Sequence, residues 1–436
     1  MRTKVAAVFA MMLSLAGCKD GSTEITVVDP GHFHASLILK HRLEDVGGTV
    51  HVYAPEGKEL EDFTTLVNTF NTREDSPTAW KLDIHAGPDF LDRLPAAGKK
   101  DIAVISGNNR YKARYIAECI DKGYNVLADK PMAINTEDFA LLKQAYAKAE
   151  RKGLVIYDMM TERHSPLNRI IRTLVSSREF FGVPDGSIEM MDIHHFCKKV
   201  AGSYTRRPQW YYDVRQQGEG IADITTHHVD ILFWECFPDR AFSLDDVKVT
   251  AADRYPTVIT PEEFENTTGA STWPDYLEQD IVDGCLHVYS NGSVSYTIDG
   301  QPVTIGVRWD FIAPEGSGDT FQSTIPGTKA VIKVIQDEST GFKRTLFLMT
   351  DEEGAAAAEA LLQLPDQPKA QLLRAGEGLW EVRIAEEAEV DHEDQFSLVA
   401  DTFIRYVKGE EMPQWENANT LAKYYITTEA VRMAAE

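Results

Sequence analysis

Short continuous apolar runs recur along the first third of the chain: Glu24 to Asp29 (EITVVD), Thr49 to Ala54 (TVHVYA), Asp101 to Ser106 (DIAVIS), Asn125 to Ala128 (NVLA) and Leu154 to Tyr157. Unbroken runs of this length, without polar alternation, belong to strands covered on both faces. Helix-like stretches lie between them, from His34 to Leu43 and through Ile116 to Lys122. Strand and helix in alternation predict a Rossmann-like parallel sheet with helices on both sides, spanning residues 23–160. The polar stretch from Glu56 to Trp80 reads as a long inserted loop with a capping or functional role.

The pattern changes near residue 185. Longer strand-like runs appear at Asp283 to Tyr289, Ser293 to Ile298 and Thr304 to Phe311, separated by turn signals at Ser290-Asn291-Gly292 and Asp299-Gly300. This predicts an α+β second domain, residues 161–436, built on an open antiparallel β-sheet. Glu352 to Ala370 is Ala-rich with two prolines and reads as an exposed insertion. Glu393 to Tyr406 and Asn417 to Ala434 read as terminal helices that pack back.

The first residues follow a different logic. Arg2 and Lys4 precede an apolar run, Val5 to Leu15, shorter than the ~20 residues that span a bilayer. Leu15-Ala16-Gly17-Cys18 follows, resembling the lipobox of bacterial lipoproteins. Residues 1–18 are therefore expected to be a lipoprotein signal peptide, with Cys18 lipidated and the lipid anchor as the only link to the membrane. The expected location is outside the cytoplasm, on the periplasmic side of a membrane or at the cell surface. The formal charge of −24 argues against a nucleic-acid partner. The remaining cysteines, Cys119, Cys197, Cys236 and Cys285, form no CxxC pair and read as free buried thiols.

Three segments carry candidate chemistry. Asp29-Pro30-Gly31-His32-Phe33-His34 stands where a dinucleotide-binding turn has G-x-G-x-x-G, and only the middle glycine is kept. Asp29 sets a carboxylate near the expected phosphate, an effect that His32 and His34 offset if they donate hydrogen bonds. Asp129-Lys130-Pro131 ends a predicted strand, where ligands bind in open parallel sheets. Gly218 to Asp230 reads as a glycine-rich turn entering a helix, with Asp223, His227 and Asp230 at i, i+4 and i+7 on one face. An Asp–His pair beside a lysine suits proton transfer to or from a substrate hydroxyl. The doublets His194-His195 and His227-His228 offer one metal ligand each, because adjacent side chains diverge, and no metal is expected.

Taken together, these segments resemble the Gfo/Idh/MocA family, the oxidoreductases of glucose–fructose oxidoreductase and inositol dehydrogenase type. Asn108 matches the family's T-P-N-x-x-H segment, where Tyr111 replaces the histidine. Asp129-Lys130-Pro131 matches E-K-P. Gly218 to Asp230 matches the glycine-rich segment before the helix, with Glu219 and Thr225 as departures. Arg207-Pro208-Gln209-Trp210 and Gly327-Thr328-Lys329 are also similar. The D-P-G-H-F-H-A first turn with the lipobox resembles a lipoprotein subgroup of this family.

The resemblance implies an NAD(P)-dependent oxidoreductase acting on a hydroxyl of a sugar, glycoside or polyol. It implies that Lys130 contacts the reacting hydroxyl and that His227 is the acid/base, oriented by Asp223. Cofactor contacts carry over to Gly31, Asn108 and Lys130; His32 and His34 in the turn, and Glu56 toward the adenosine ribose, stand as further cofactor-binding candidates. Arg163, Trp210 and Asp230 stand as candidate substrate contacts, and the family's open sheet suggests a homo-oligomer.

Export without a twin-arginine signal adds a constraint, since no pool exists there to recycle NAD. A tightly bound NAD or NADP, turned over by a second substrate, is the expected solution. The rival readings are an NAD-dependent redox-cycling glycoside hydrolase or lyase, and a non-catalytic carbohydrate-binding lipoprotein.

Overall fold

In the computed structural model, residues 23–200, 203–204 and 206–436 are described. The expected signal peptide and Cys18 lie outside them. Six short strands form one parallel sheet: β1 (Thr23–Val28), β2 (Val46–Ala54), β3 (Lys81–Ala86), β4 (Ile102–Ile105), β5 (Asn125–Ala128) and β6 (Ile156–Asp158). Their order is β3-β2-β1-β4-β5-β6, with β1 parallel to both β2 and β4. This is the doubly wound dinucleotide order, and the chain reverses direction across the sheet at the β1/β4 boundary. The apolar runs bury as their composition requires: Ile25, Val27, Val50, Val52 and Val104 are fully enclosed.

Helices α1 (His34–Leu37), α2 (Lys58–Thr72), α3 (Asn109–Lys122) and α4 (Thr136–Lys152) complete this domain. Two expectations need correction here. The stretch His34 to Leu43 is helical for a single turn only. The polar stretch after Glu56 is not a loop; α2 occupies most of it. Phe63, Val67 and Phe70 form an i, i+4, i+7 stripe that packs on the sheet, while the other faces are exposed and polar. Strand β3 carried no signal because it lies at the sheet edge, half-buried and mixed in polarity.

The second domain is a large, mostly antiparallel sheet. Its successive strands are Val247–Ile259, Cys285–Ile298, Gln301–Ile312, Ile188–Cys197, Thr320–Pro326, Val331–Gln336, Thr345–Met349, Leu379–Ile384 and Ala370–Gly376. Only the pairing of Gln301–Ile312 with Ile188–Cys197 is parallel among these. The Asp299-Gly300 turn forms as expected, but Ser290-Asn291-Gly292 does not turn: it lies inside the continuous strand Cys285–Ile298. There Asn291 donates to Tyr255 O and accepts from Trp309 N, beside a bulge in the facing strand. Its side chain serves the sheet, where sequence suggested a turn. The Ala-rich stretch is also not a plain exposed insertion. It holds the helix Glu352–Leu362, capped by Asp351 and burying Ala355, Ala358 and Leu362.

The two terminal helices join the domains. His392–Lys408 sends Phe396, Val399, Phe403 and Ile404 into the same core as Ile25 and Val27 of the parallel sheet. Fully burying a side chain such as Phe403 contributes ~1.5–3 kcal/mol. Gln414–Ala435 buries Ala422, Ile426 and Ala430 in the second-domain core and Tyr424 against the first. Among the described residues, no helix is long and apolar enough to cross a membrane. The four cysteines are free thiols; Cys119, Cys197 and Cys236 are buried and Cys285 is half-buried.

Candidate functional site

The site lies beyond the carboxyl ends of β1, β4 and β5, where the second domain closes over the sheet. A crevice of about 180 Å³ there is lined by Asp29, Pro30, Gly31, Glu56, Asn108, Tyr115 and Trp210. Gly31 and Gly107 bring the two strand ends together. A Cβ on Gly31 would stand 3.4 Å from the Gly107 Cα, and one on Gly107 would stand 2.3 Å from the Asp29 carboxylate. Asp29 takes positive φ to make this turn. Burial pushes its pKa up to about 6, opposed by hydrogen bonds from the Asn108 backbone and Tyr115. Its oxygens are thus engaged by the start of α3. Asn108 caps α3 through Arg110 N and donates to Gln216 at 2.8 Å.

Next to the crevice is a cavity of about 290 Å³ that gathers Lys130, Asp223, His227, His32, His34 and Trp210. The three residues expected to work together do converge, but not in the expected pairing. Lys130 Nζ lies 2.7 Å from Asp223 Oδ1, and Asp223 Oδ2 accepts from Gln217 at 3.0 Å. Burial opposes the charge on Asp223, and Lys130 outweighs it and holds the carboxyl below its usual range. Asp223 spends its oxygens on Lys130 and Gln217 and not on His227, and both side chains line the cavity. Ile224, its own backbone in the right-handed helical region, joins a short helix Gly220–Asp223 to a longer one, Thr225–Cys236. A Cβ on Gly220 would overlap the Ser290 carbonyl, so the short helix presses directly on the neighbouring strand. His227 Nδ1 is buried without a hydrogen-bond partner. Burial, reinforced by Lys130, keeps this imidazole neutral.

Arg163 and Asp230, expected to touch substrate, line neither space. Arg163 grips Asp230 with two bonds of 2.7 Å and reaches Glu416 at 2.6 Å. Lys423 bridges Asp230 and Asp158 at 2.8 Å each, and Tyr424 donates to Asp158. These bonds tie the end of β6 to the helices Thr225–Cys236 and Gln414–Ala435, and they leave one Asp158 oxygen without a partner. Trp210 does line crevice and cavity, and its indole N–H reaches Glu59 on α2 at 3.2 Å. Glu56 is exposed at the crevice rim. His32 and His34 turn their Nδ1 atoms toward Asp129, at 3.4 and 3.1 Å.

Several lining residues escaped the sequence reading, Met190 and Asp192 among them; with His194, noted only as half of a histidine doublet, they share one face of their strand and line the cavity. That period of two was legible; what hid it was the absence of any motif. Asp192 Oδ2 stands 3.1 Å from His194 Nε2 and 3.0 Å from His228 Nε2. Burial opposes the charge on His194, and Asp192 and Asp319 outweigh it and lift its pKa to about 9. Lys112 is buried beneath the site, bonded to Asn109 and to the Lys130 carbonyl; burial lowers its pKa to about 8.

Residues 30–157 match the family model for the oxidoreductase family NAD-binding Rossmann fold, GFO_IDH_MocA. Residues 172–435, more than half of the chain, match the Oxidoreduct_C model, "Putative oxidoreductase C terminal domain". A crystal structure of a "putative oxidoreductase" from Parabacteroides merdae is 37% identical, with a TM-score of 0.90, covering 95% of this chain and 98% of that one. The 3-ketoreductase KijD10 of Actinomadura kijaniata, solved with TDP-benzene and NADP, shares the fold at 12% identity and a TM-score of 0.56, covering 95% and 98% of the two chains. YteT of Bacillus subtilis is 25% identical over 147 residues, 34% of this chain and about a third (32%) of that relative's length. With the doubly wound sheet, the closed glycine turn and the lysine at the end of β5 in place, the chain belongs to the Gfo/Idh/MocA oxidoreductase family.

Proposed function

We propose that this protein is an NAD(P)-dependent oxidoreductase that acts on a hydroxyl of a sugar, glycoside or polyol. The observation that carries the reading is the convergence of Lys130, Asp223 and His227 on one cavity that adjoins the nucleotide crevice. The crevice fits a dinucleotide. It lies at the point where strand order reverses, and Gly31 and Gly107 leave no side chain between the strand ends. Gly31 and Asn108 would flank the phosphates, Glu56 would meet the adenosine ribose, and Lys130 would sit near the nicotinamide. A bound nicotinamide supplies a hydride acceptor or donor.

The chain's own groups handle the proton. Lys130 holds the substrate hydroxyl oxygen by donating to it. Asp223 fixes the ammonium by its 2.7 Å pair. Neutral His227, its Nδ1 lacking a partner, accepts the hydroxyl proton in oxidation and returns it in reduction. Trp210, Tyr211 and Trp309 give the cavity aromatic walls beside these polar groups, a lining suited to a sugar ring. The lipobox at Cys18 sets this chemistry outside the cytoplasm on our reading, which favours a retained cofactor.

The test is mass analysis of any small molecule released when the purified full-length chain is denatured, followed by single-turnover oxidation of a glycoside panel. Release or binding of NAD or NADP and stoichiometric oxidation are expected. Sugar binding with no dinucleotide, bound or bindable, would reduce the protein to a carbohydrate binder. Net cleavage with no net oxidation would reassign it as a redox-cycling glycosidase.

A further inference from the structure

We propose that His32, His34 and Asp129 form a binding site for a divalent transition metal of zinc type, with an open coordination position facing the reaction cavity. Two ring nitrogens and a carboxylate oxygen of these residues lie within 4.8 Å of one another. His34 Nδ1 is 3.1 Å from both Asp129 oxygens, and His32 Nδ1 is 3.4 Å from Oδ2. Ligands at 2.0–2.1 Å from a tetrahedral zinc stand about 3.3 Å apart, so the two His–Asp separations match edges of that tetrahedron.

Two further observations favour a cation here over a plain hydrogen-bonded cluster. His32 Nδ1 is buried, and beyond its 3.4 Å approach to Asp129 Oδ2 it makes no hydrogen bond, so a metal would satisfy it. Asp129 is a buried carboxylate, yet the adjacent Lys130 turns to Asp223 and leaves it with imidazoles and a hydroxyl.

The supporting shell is also built. Ser106 Oγ donates to Asp129 Oδ2 at 2.8 Å, and the His34 ring packs on Phe396 at 4.4 Å, which fixes the two ligands. Three protein ligands with the fourth position on a cavity is the arrangement of zinc sites that accept an oxygen ligand. All three residues line that cavity. The site also gives the two first-turn histidines a role that the altered glycine motif leaves unexplained.

A second group, His51, Asp83 and His85, has similar spacing but sits on the outer strands with a half-exposed carboxylate, and it serves as the control. The test uses the full-length chain stripped of metal with a chelator and free of dinucleotide, so its outcome is independent of the proposed redox activity. Titration with ZnCl2 by calorimetry should show one tight equivalent per chain, and CoCl2 should give the visible bands of a tetrahedral centre. Ser106→Ala should weaken binding by about 10–100-fold, as supporting-shell changes do. His32→Gln should weaken it more, with the circular dichroism spectrum unchanged, and His85→Gln should leave it intact. Absence of a stoichiometric site in the wild-type chain, or binding that survives His32→Gln and falls with His85→Gln, overturns the assignment.

Discussion

Lys130 with Asp223, and Arg163 with Asp230, are ion pairs of the same length, 2.7 Å, and each takes one member from the segment Asp223 to Asp230. Their surroundings differ. Arg163 and Asp230 also bond Glu416 and Lys423, and Lys423 goes on to Asp158. Lys130 and Asp223 instead border a cavity shared with His227, whose Nδ1 has no partner. A network whose charged groups face one another away from any cavity holds elements together; one that borders open space can receive a ligand. Burial and charge are common to both, so neither separates structure from function.

That contrast can be broken in several ways. The largest effect is expected at the open pair: Lys130→Ala should cut turnover by about 10²–10⁴-fold, measured by single-turnover hydride transfer, while dinucleotide binding persists. Unchanged turnover would remove Lys130 from the chemistry. Asp230→Asn should instead cost ~3–5 kcal/mol in urea unfolding, because Arg163 and Lys423 lose a buried counter-charge. If Asp230→Asn raised the sugar KM without lowering stability, the closed network would be a site after all.

The closed network also makes a pH prediction. Burial opposes the charge on Asp230, but Arg163 and Lys423 hold its folded pKa below the ordinary carboxylate value. Its contribution is therefore full above pH ~4, the unfolded value, and is lost as pH falls through the lower folded value. The stability gap between wild type and Asp230→Asn should be constant from pH 5 to 8 and close below pH ~4. A gap that widened in acid would contradict the assignment. The smallest effect concerns Trp210, whose indole ties the second domain to Glu59. Trp210→Phe removes that hydrogen bond, ~0.5–1.5 kcal/mol, and should speed dinucleotide release by about 2–10-fold in stopped-flow fluorescence.

Much of the first domain was readable because its strands are covered on both faces and so advertise themselves as apolar runs. Edge strand β3 and amphipathic α2 were not, since half-buried elements carry mixed polarity. The Lys130 and Gly218–Asp230 segments were found by motif, but the internal wiring was misread. Asp223 was expected to orient His227, but Lys130 from the end of β5 and Gln217 take its two oxygens. Arg163 and Asp230 were misassigned because a charged residue next to a motif looks the same whether it faces a ligand or another charge.

Sheet type, domain order and the chemical groups available at the strand ends follow from local periodicity and residue identity. Which of those groups face open space is settled by the folded packing alone. That depends on which partners from distant segments reach each donor and acceptor first, and no local pattern encodes it.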